Sequence, residues 1–191
     1  MGYSSLARYL TVPEKPTRRF TRAEILRALQ ALGDLLTSKD VRGQIFIVGG
    51  AAMALAYSTR RVTKDIDTIF EPKSSIYEAA ATVAEELGLP EDWLNEAAKG
   101  FMPGEDDNRR PVPDIHGIEI TTASPQYLLA MKLMAMRFGE DDEDIEVLID
   151  ACGLHSADET LALFERIYPT QEPPSKTRFF LEELFGRRHD V

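Results

Sequence analysis

Phe46-Ile-Val-Gly-Gly-Ala-Ala-Met-Ala-Leu-Ala-Tyr-Ser-Thr-Arg-Arg-Val-Thr-Lys-Asp-Ile-Asp-Thr-Ile-Phe70 is the stretch on which the fold turns. Residues 44–48 form a short apolar, β-branched run suited to a buried strand. Gly49-Gly50 interrupts that run, and Ala51 to Tyr57 reads as the first turns of a helix. Beyond an arginine-bearing link, residues 65–70 alternate polar and apolar, as a half-buried strand does. Side chains at i and i+2 of a strand point the same way, so Asp65 and Asp67 share one face and Ile66 and Thr68 the other. Two carboxylates side by side repel each other and contribute nothing to a core. A divalent cation between them removes the conflict.

A strand, a Gly-Gly turn into a helix, and a second strand carrying Asp-x-Asp together resemble the core of the nucleotidyltransferase superfamily, the polymerase-β-like fold. In that family a small residue, often serine, follows the glycines; here it is Ala51. Further on, Tyr127-Leu-Leu-Ala-Met-Lys-Leu-Met-Ala-Met-Arg137 followed by Asp141-Asp-Glu-Asp-Ile145 resembles the second half of the AbiEii-like and MenT-like branch, many of whose members are toxins paired with an antitoxin. The resemblance spans residues 44–150. It implies an α/β (α+β) fold with a mixed sheet flanked by helices. Residues 1–123 are the expected core with its N-terminal helix, and residues 124–191 a helical C-terminal part packed on it. It also implies transfer of a nucleoside monophosphate from an NTP to a hydroxyl, with Mg²⁺ or Mn²⁺ on Asp65 and Asp67. A tRNA 3′ end is one implied acceptor, and a cognate antitoxin one implied partner.

The bulk composition sets limits. The chain has 191 residues, the size of one domain or a domain with a small extension. Its net charge of −10, from 22 basic and 32 acidic residues, argues against a general nucleic-acid coat while permitting a local basic groove. One cysteine, Cys152, leaves no internal disulfide and no zinc-type spacing. No apolar run approaches the ~20 residues of a membrane span. The N-terminus has no apolar signal region, so a cytoplasmic setting is expected.

The remaining elements follow from periodicity. Residues 1–20 suggest an irregular arm or a short helix near Ser5–Leu10. Thr21 and Glu24 have capping-box spacing ahead of a leucine-rich amphipathic helix. Ser74 to Leu87 predicts another helix, ended by Gly88 and Pro90. Glu91 to Lys99 suggests a short helix carrying Trp93, and residues 100–113 a polar loop or mobile flap. Residues 115–121 predict a third strand, followed by helices from Pro125, near Asp141, from Ser156 and at Lys176–Phe185.

Several residues carry candidate chemistry. Gly49 and Gly50 admit either tight strand–helix packing or close approach of backbone N–H groups to a phosphate. Arg60 and Arg61 are phosphate candidates, whereas strand alternation sends Lys64 to the face opposite the carboxylates. A third carboxylate, common in the superfamily, is assigned to Glu119, with Asp114 the runner-up. Lys132 is the one charge in the middle of an almost wholly apolar helix. It either snorkels to solvent or meets the nucleotide or a buried acid. The apolar stripe of the next helix, projected backwards, passes through Asp144 and Asp141. Asp141 has the position of a helix cap, and the family resemblance favours pairing Asp144 with Lys132.

Overall fold

A computed structural model describes residues 18–57, 61–112 and 115–189. Residues 1–17 of the expected N-terminal arm, which include its short helix, and Arg60 and Asp114 lie outside the described residues, while Phe20 is buried and bridges to Thr63.

Helix α1 (Arg22–Ser38) begins where its capping box predicts. The Thr21 side chain accepts from the Glu24 N–H, and the Glu24 carboxylate accepts from the Thr21 N–H. Its buried stripe of Ile25, Leu29, Leu32 and Leu36 packs with α3 (Lys73–Leu87). Strand β1 (Gly43–Ile47) is central in the sheet. It pairs antiparallel with β2 (Ile66–Glu71) and parallel with β5 (Ile118–Thr122). Two-residue strands β3 (Leu94–Asn95) and β4 (Arg110–Pro111) complete a mixed sheet in the order β3-β2-β1-β5-β4.

Register assigns the two faces. Ile45, Ile47, Ile66, Thr68, Phe70, Ile118 and Ile120 are all buried. The alternate residues Gln44, Phe46, Asp67, Ile69 and Glu119 lie on the other face and are partly or fully exposed. Strand β2 starts at Ile66, one residue later than the sequence pattern suggests, and Asp65 sits in the bend before it.

After β1 the chain enters a four-residue helix, α2 (Gly49–Ala52), which widens into a π-helical turn over Met53–Tyr57. The short helix expected over Glu91–Lys99 is instead strand β3 followed by a 3₁₀ turn over Ala97–Phe101. Tertiary contacts override helix propensity here: Trp93 is fully buried and donates its indole N–H to the Ala80 carbonyl at 2.9 Å. The expected flap over 100–113 is tied down in its described part. The Tyr168 hydroxyl donates to the Phe101 carbonyl and the Tyr127 hydroxyl to the Gly104 carbonyl. The buried Asp106 carboxylate accepts from the backbone N–H and hydroxyl of Ser124 at 2.6 and 3.0 Å.

From Ser124 onward the chain is helical: α4 (Pro125–Ala135), α5 (Asp142–Cys152), α6 (Ala157–Ile167) and α7 (Ser175–His189). Ser124 caps α4, with Pro125 at its first position, as the sequence predicts. Residues of these helices, among them Leu128, Ile145, Leu148 and Phe164, belong to the same apolar core as the sheet. Helix α7 secures the far end of α4. The Lys176 ammonium donates to the Met136 carbonyl at 2.6 Å and the Thr177 hydroxyl to the Leu133 carbonyl at 2.8 Å. That anchorage holds the segment leading from Lys132 to Asp141.

Candidate active site

A cleft of about 750 Å³ lies between two walls. One wall comes from the chain entering β2, with Arg61, Thr63, Lys64, Asp65 and Asp67, together with Gly50 and with Arg19 from ahead of α1. The other comes from the α4–α5 corner and carries Lys132, Arg137 and Asp144.

Asp65 and Asp67 both line the cleft. The Asn95 side chain donates to Asp65 at 3.2 Å, which orients that carboxylate from β3. Burial, reinforced by the charge of Asp65 and opposed by Arg137, pushes the Asp67 carboxyl up to about 6. The ionised form of Asp67 is therefore disfavoured, first by burial and then by its neighbour. Gly49 explains how Asp67 fits. It has φ +62°, and a Cβ there would lie 3.0 Å from Asp67 Oδ2. A Cβ on Gly50 would come within 2.7 Å of the Thr63 hydroxyl. Close approach of these side chains thus accounts for both glycines, and the short helix behind them gives little dipole for a phosphate.

The opposite wall is a buried ionic cluster. Lys132 Nζ lies 2.7 Å from both Asp141 Oδ1 and Asp144 Oδ2. Asp141, only 3% exposed, also accepts from the Arg137 backbone N–H at 2.9 Å and from Arg137 Nε at 3.2 Å. Burial on its own would raise this carboxyl, but the hydrogen bonds from Arg137 and Lys132 outweigh it and hold Asp141 at about 2. Arg61 reaches across from the first wall to Asp144 Oδ2 at 3.1 Å.

The structure thus brings together Asp65, Asp67, Arg61, Lys132 and Asp144. It does not bring Glu119 to them. Glu119 pairs in register with Gln44 and accepts a hydrogen bond from its side chain at 3.0 Å. The strand position beside Asp67 is Val48, whose N–H donates to the Asp67 carbonyl. Four residues of strand, about 13 Å, separate the two levels. Glu119 has the right face but the wrong end of the sheet, so its assignment as a metal ligand is corrected. Lys64 is corrected too. It lines the cleft because it sits in the bend before β2, where strand alternation does not apply.

Two neighbours of the cleft differ from the sequence expectation. Asp141 has a helix-cap position, but its side chain makes no cap hydrogen bond and serves Lys132 and Arg137 instead. The i, i+4 spacing of Arg137 and Asp141 was the available signal. Asn95 had none, since only the β2–β3 pairing brings it to Asp65.

This mixed sheet flanked by helices has a nucleotidyltransferase-like fold. The chain belongs to the family described as "Nucleotidyltransferase of unknown function (DUF6036)", whose model matches residues 24–171. A solved structure of an antigenic nucleotidyltransferase-like protein from Paracoccidioides brasiliensis has a similar fold. It is 15% identical, with a TM-score of 0.50 over 91% of this chain and 92% of that one. No curated protein matches the sequence. Among the described residues no helix is long and apolar enough to cross a membrane.

Proposed function

We propose that this chain transfers a nucleoside monophosphate from an NTP to a hydroxyl acceptor with release of pyrophosphate, and that the reaction depends on Mg²⁺ or Mn²⁺. The observation that carries this reading is the two-walled cleft, with Asp65, Asp67 and Arg61 on the wall entering β2 and Lys132 and Arg137 on the other.

The residues fit a divalent metal. Mg²⁺ is usually held by one or two carboxylates together with substrate phosphates and water, so two aspartates suffice. The raised Asp67 carboxyl supports this reading, since burial and Asp65 disfavour its ionised form and a bound cation would offset both. Asp65 and Asp67 would hold the ion, which supplies charge neutralisation at the reacting phosphate and the leaving pyrophosphate. The chain's own groups do the rest. Asn95 orients Asp65. Lys132, Arg61 and Arg137 present positive charge to the triphosphate. Asp141 and Asp144 keep Lys132 extended toward the cleft instead of letting it snorkel away.

Incubation with each α-labelled NTP, Mg²⁺ and total RNA, beside parallel protein and small-molecule acceptors, tests the reaction and its acceptor. Label in a tRNA-sized product would identify a tRNA 3′ hydroxyl. Absence of label and of pyrophosphate release in every arm would sink the enzymatic reading and leave a nucleotide-binding module. The toxin half of a toxin–antitoxin pair is the biological setting proposed with it. Growth arrest on expression, relieved by a co-purifying neighbour-encoded protein, is the expected result.

A further inference from the structure

The two buried aspartates on the helical wall are bonded differently. Asp141 is saturated: Oδ1 accepts from Lys132 at 2.7 Å and Arg137 Nη2 at 3.3 Å, and Oδ2 accepts from Arg137 N and Nε at 2.9 and 3.2 Å. Asp144 Oδ2 is close to Lys132 Nζ and Arg61 Nη2, at 2.7 and 3.1 Å, yet neither contact has hydrogen-bond alignment. Arg61 Nε is also buried, with no hydrogen-bond partner among the described residues. The Arg61 side chain is partly exposed, but its Nε is buried with an unsatisfied N–H and faces a buried carboxylate it does not bond well, so the contact is under-satisfied on both sides. The contact also bridges the two walls, since Arg61 precedes β2 and Asp144 opens α5.

We propose that Arg61 is a phosphate ligand held in reserve by Asp144, and that an incoming triphosphate displaces Asp144 from it. This rests on the nucleotide reading of the cleft. A phosphate oxygen offers a guanidinium the fork geometry that Asp144 does not supply. Asp144 is not stranded by the exchange, because Lys132 remains 2.7 Å away. Asp141 has no such freedom and stays the fixed anchor of Lys132 and Arg137. The two aspartates therefore have opposite effects on anion binding: Asp141 positions the cations, and Asp144 competes with the anion for them.

Calorimetric titration with inorganic tripolyphosphate in EDTA at neutral pH separates these roles without turnover. Asp144→Asn is expected to bind roughly tenfold more tightly than wild type, the order expected for removing one like charge at ion-pair distance. Asp141→Asn is expected to bind more weakly. Adding Arg61→Gln to Asp144→Asn is expected to abolish the gain. Equal or weaker binding by Asp144→Asn would overturn the exchange. If that variant does not fold, the wild type decides. The Arg61 Nε–H resonance, assigned by its loss in Arg61→Lys, is expected to shift on adding tripolyphosphate, and an unmoved resonance overturns the proposal. Wild type that binds no tripolyphosphate at all removes the nucleotide reading together with this one. Wild-type binding without the Asp144→Asn gain removes the exchange alone.

Discussion

Replacing Asp67 with Asn tests whether the carboxylate pair is strained in the way a metal site requires. In the folded protein the Asp67 carboxyl lies at about 6 against an ordinary 3.8, chiefly through burial and next through Asp65. A raised carboxyl means that the native state holds the proton more tightly than the unfolded chain does. The favourable contribution is therefore complete below about pH 4 and is lost as pH rises through about 6. At about 1.4 kcal/mol per pH unit the ionised group costs up to ~3 kcal/mol at neutral pH. The carboxylate is partly solvated, and screening reduces this to roughly 1–2 kcal/mol. Asn has the same shape and no charge. At pH 7 in EDTA the variant is expected to be more stable than wild type by that amount, or roughly 2–8 °C in Tm for a chain of this size. The gap should close toward pH 4. With Mg²⁺ and NTP, wild type gains stability by mass action, while the variant loses most of that gain and most of its transfer activity. Thermal melts from pH 3.5 to 7.5, with and without metal and nucleotide, read all of this. An Asn variant that is less stable at pH 7, or whose advantage does not change with pH, would refute the electrostatic reasoning.

Three further outcomes follow from the same geometry. Asp141→Asn removes the counter-ion that Lys132 and Arg137 share, leaving Lys132 with Asp144 and Arg137 with Glu140, and should cost roughly 1–3 kcal/mol in urea unfolding at pH 7. Because Asp141 is held at about 2, its contribution is present above about pH 4 and lost on acidification toward pH 2, so the penalty should shrink across that window. Lys132→Met removes the nearest cation from two buried aspartates, leaving Asp141 with Arg137 and Asp144 with Arg61, and should be destabilising by about 3 kcal/mol, with transfer activity lost even at saturating NTP. Gly49→Ala places a Cβ at φ +62° against Asp67 and should cost roughly 1–3 kcal/mol, with a weaker Mg²⁺-dependent rise in Tm than wild type shows.

The sequence by itself determined the local frame. Alternation marked the strands, because a half-buried strand must alternate. The capping residues Thr21, Ser124 and Ser156 marked helix starts, because free N–H groups need partners within a few residues. It also put Asp65 and Asp67 two residues apart at the entry to a strand, although Asp65 lies in the bend where alternation ends, and it singled out Lys132 as a charge in an apolar helix without deciding between solvent, nucleotide and a buried acid. The tertiary structure decided the rest. Glu119 has the right residue type and the right face, but strand register sets its level in the sheet, about 13 Å from the pair. Trp93 left a predicted helix because the Ala80 carbonyl, supplied by another element, took its indole N–H. Asp141 and Asp144 are equivalent in a helical projection. Only the fold of the Arg137 corner, pinned by α7, saturates one of them and leaves the other facing Arg61 across the cleft. Such distinctions depend on distances between segments remote in the chain, and local propensity carries no information about those distances.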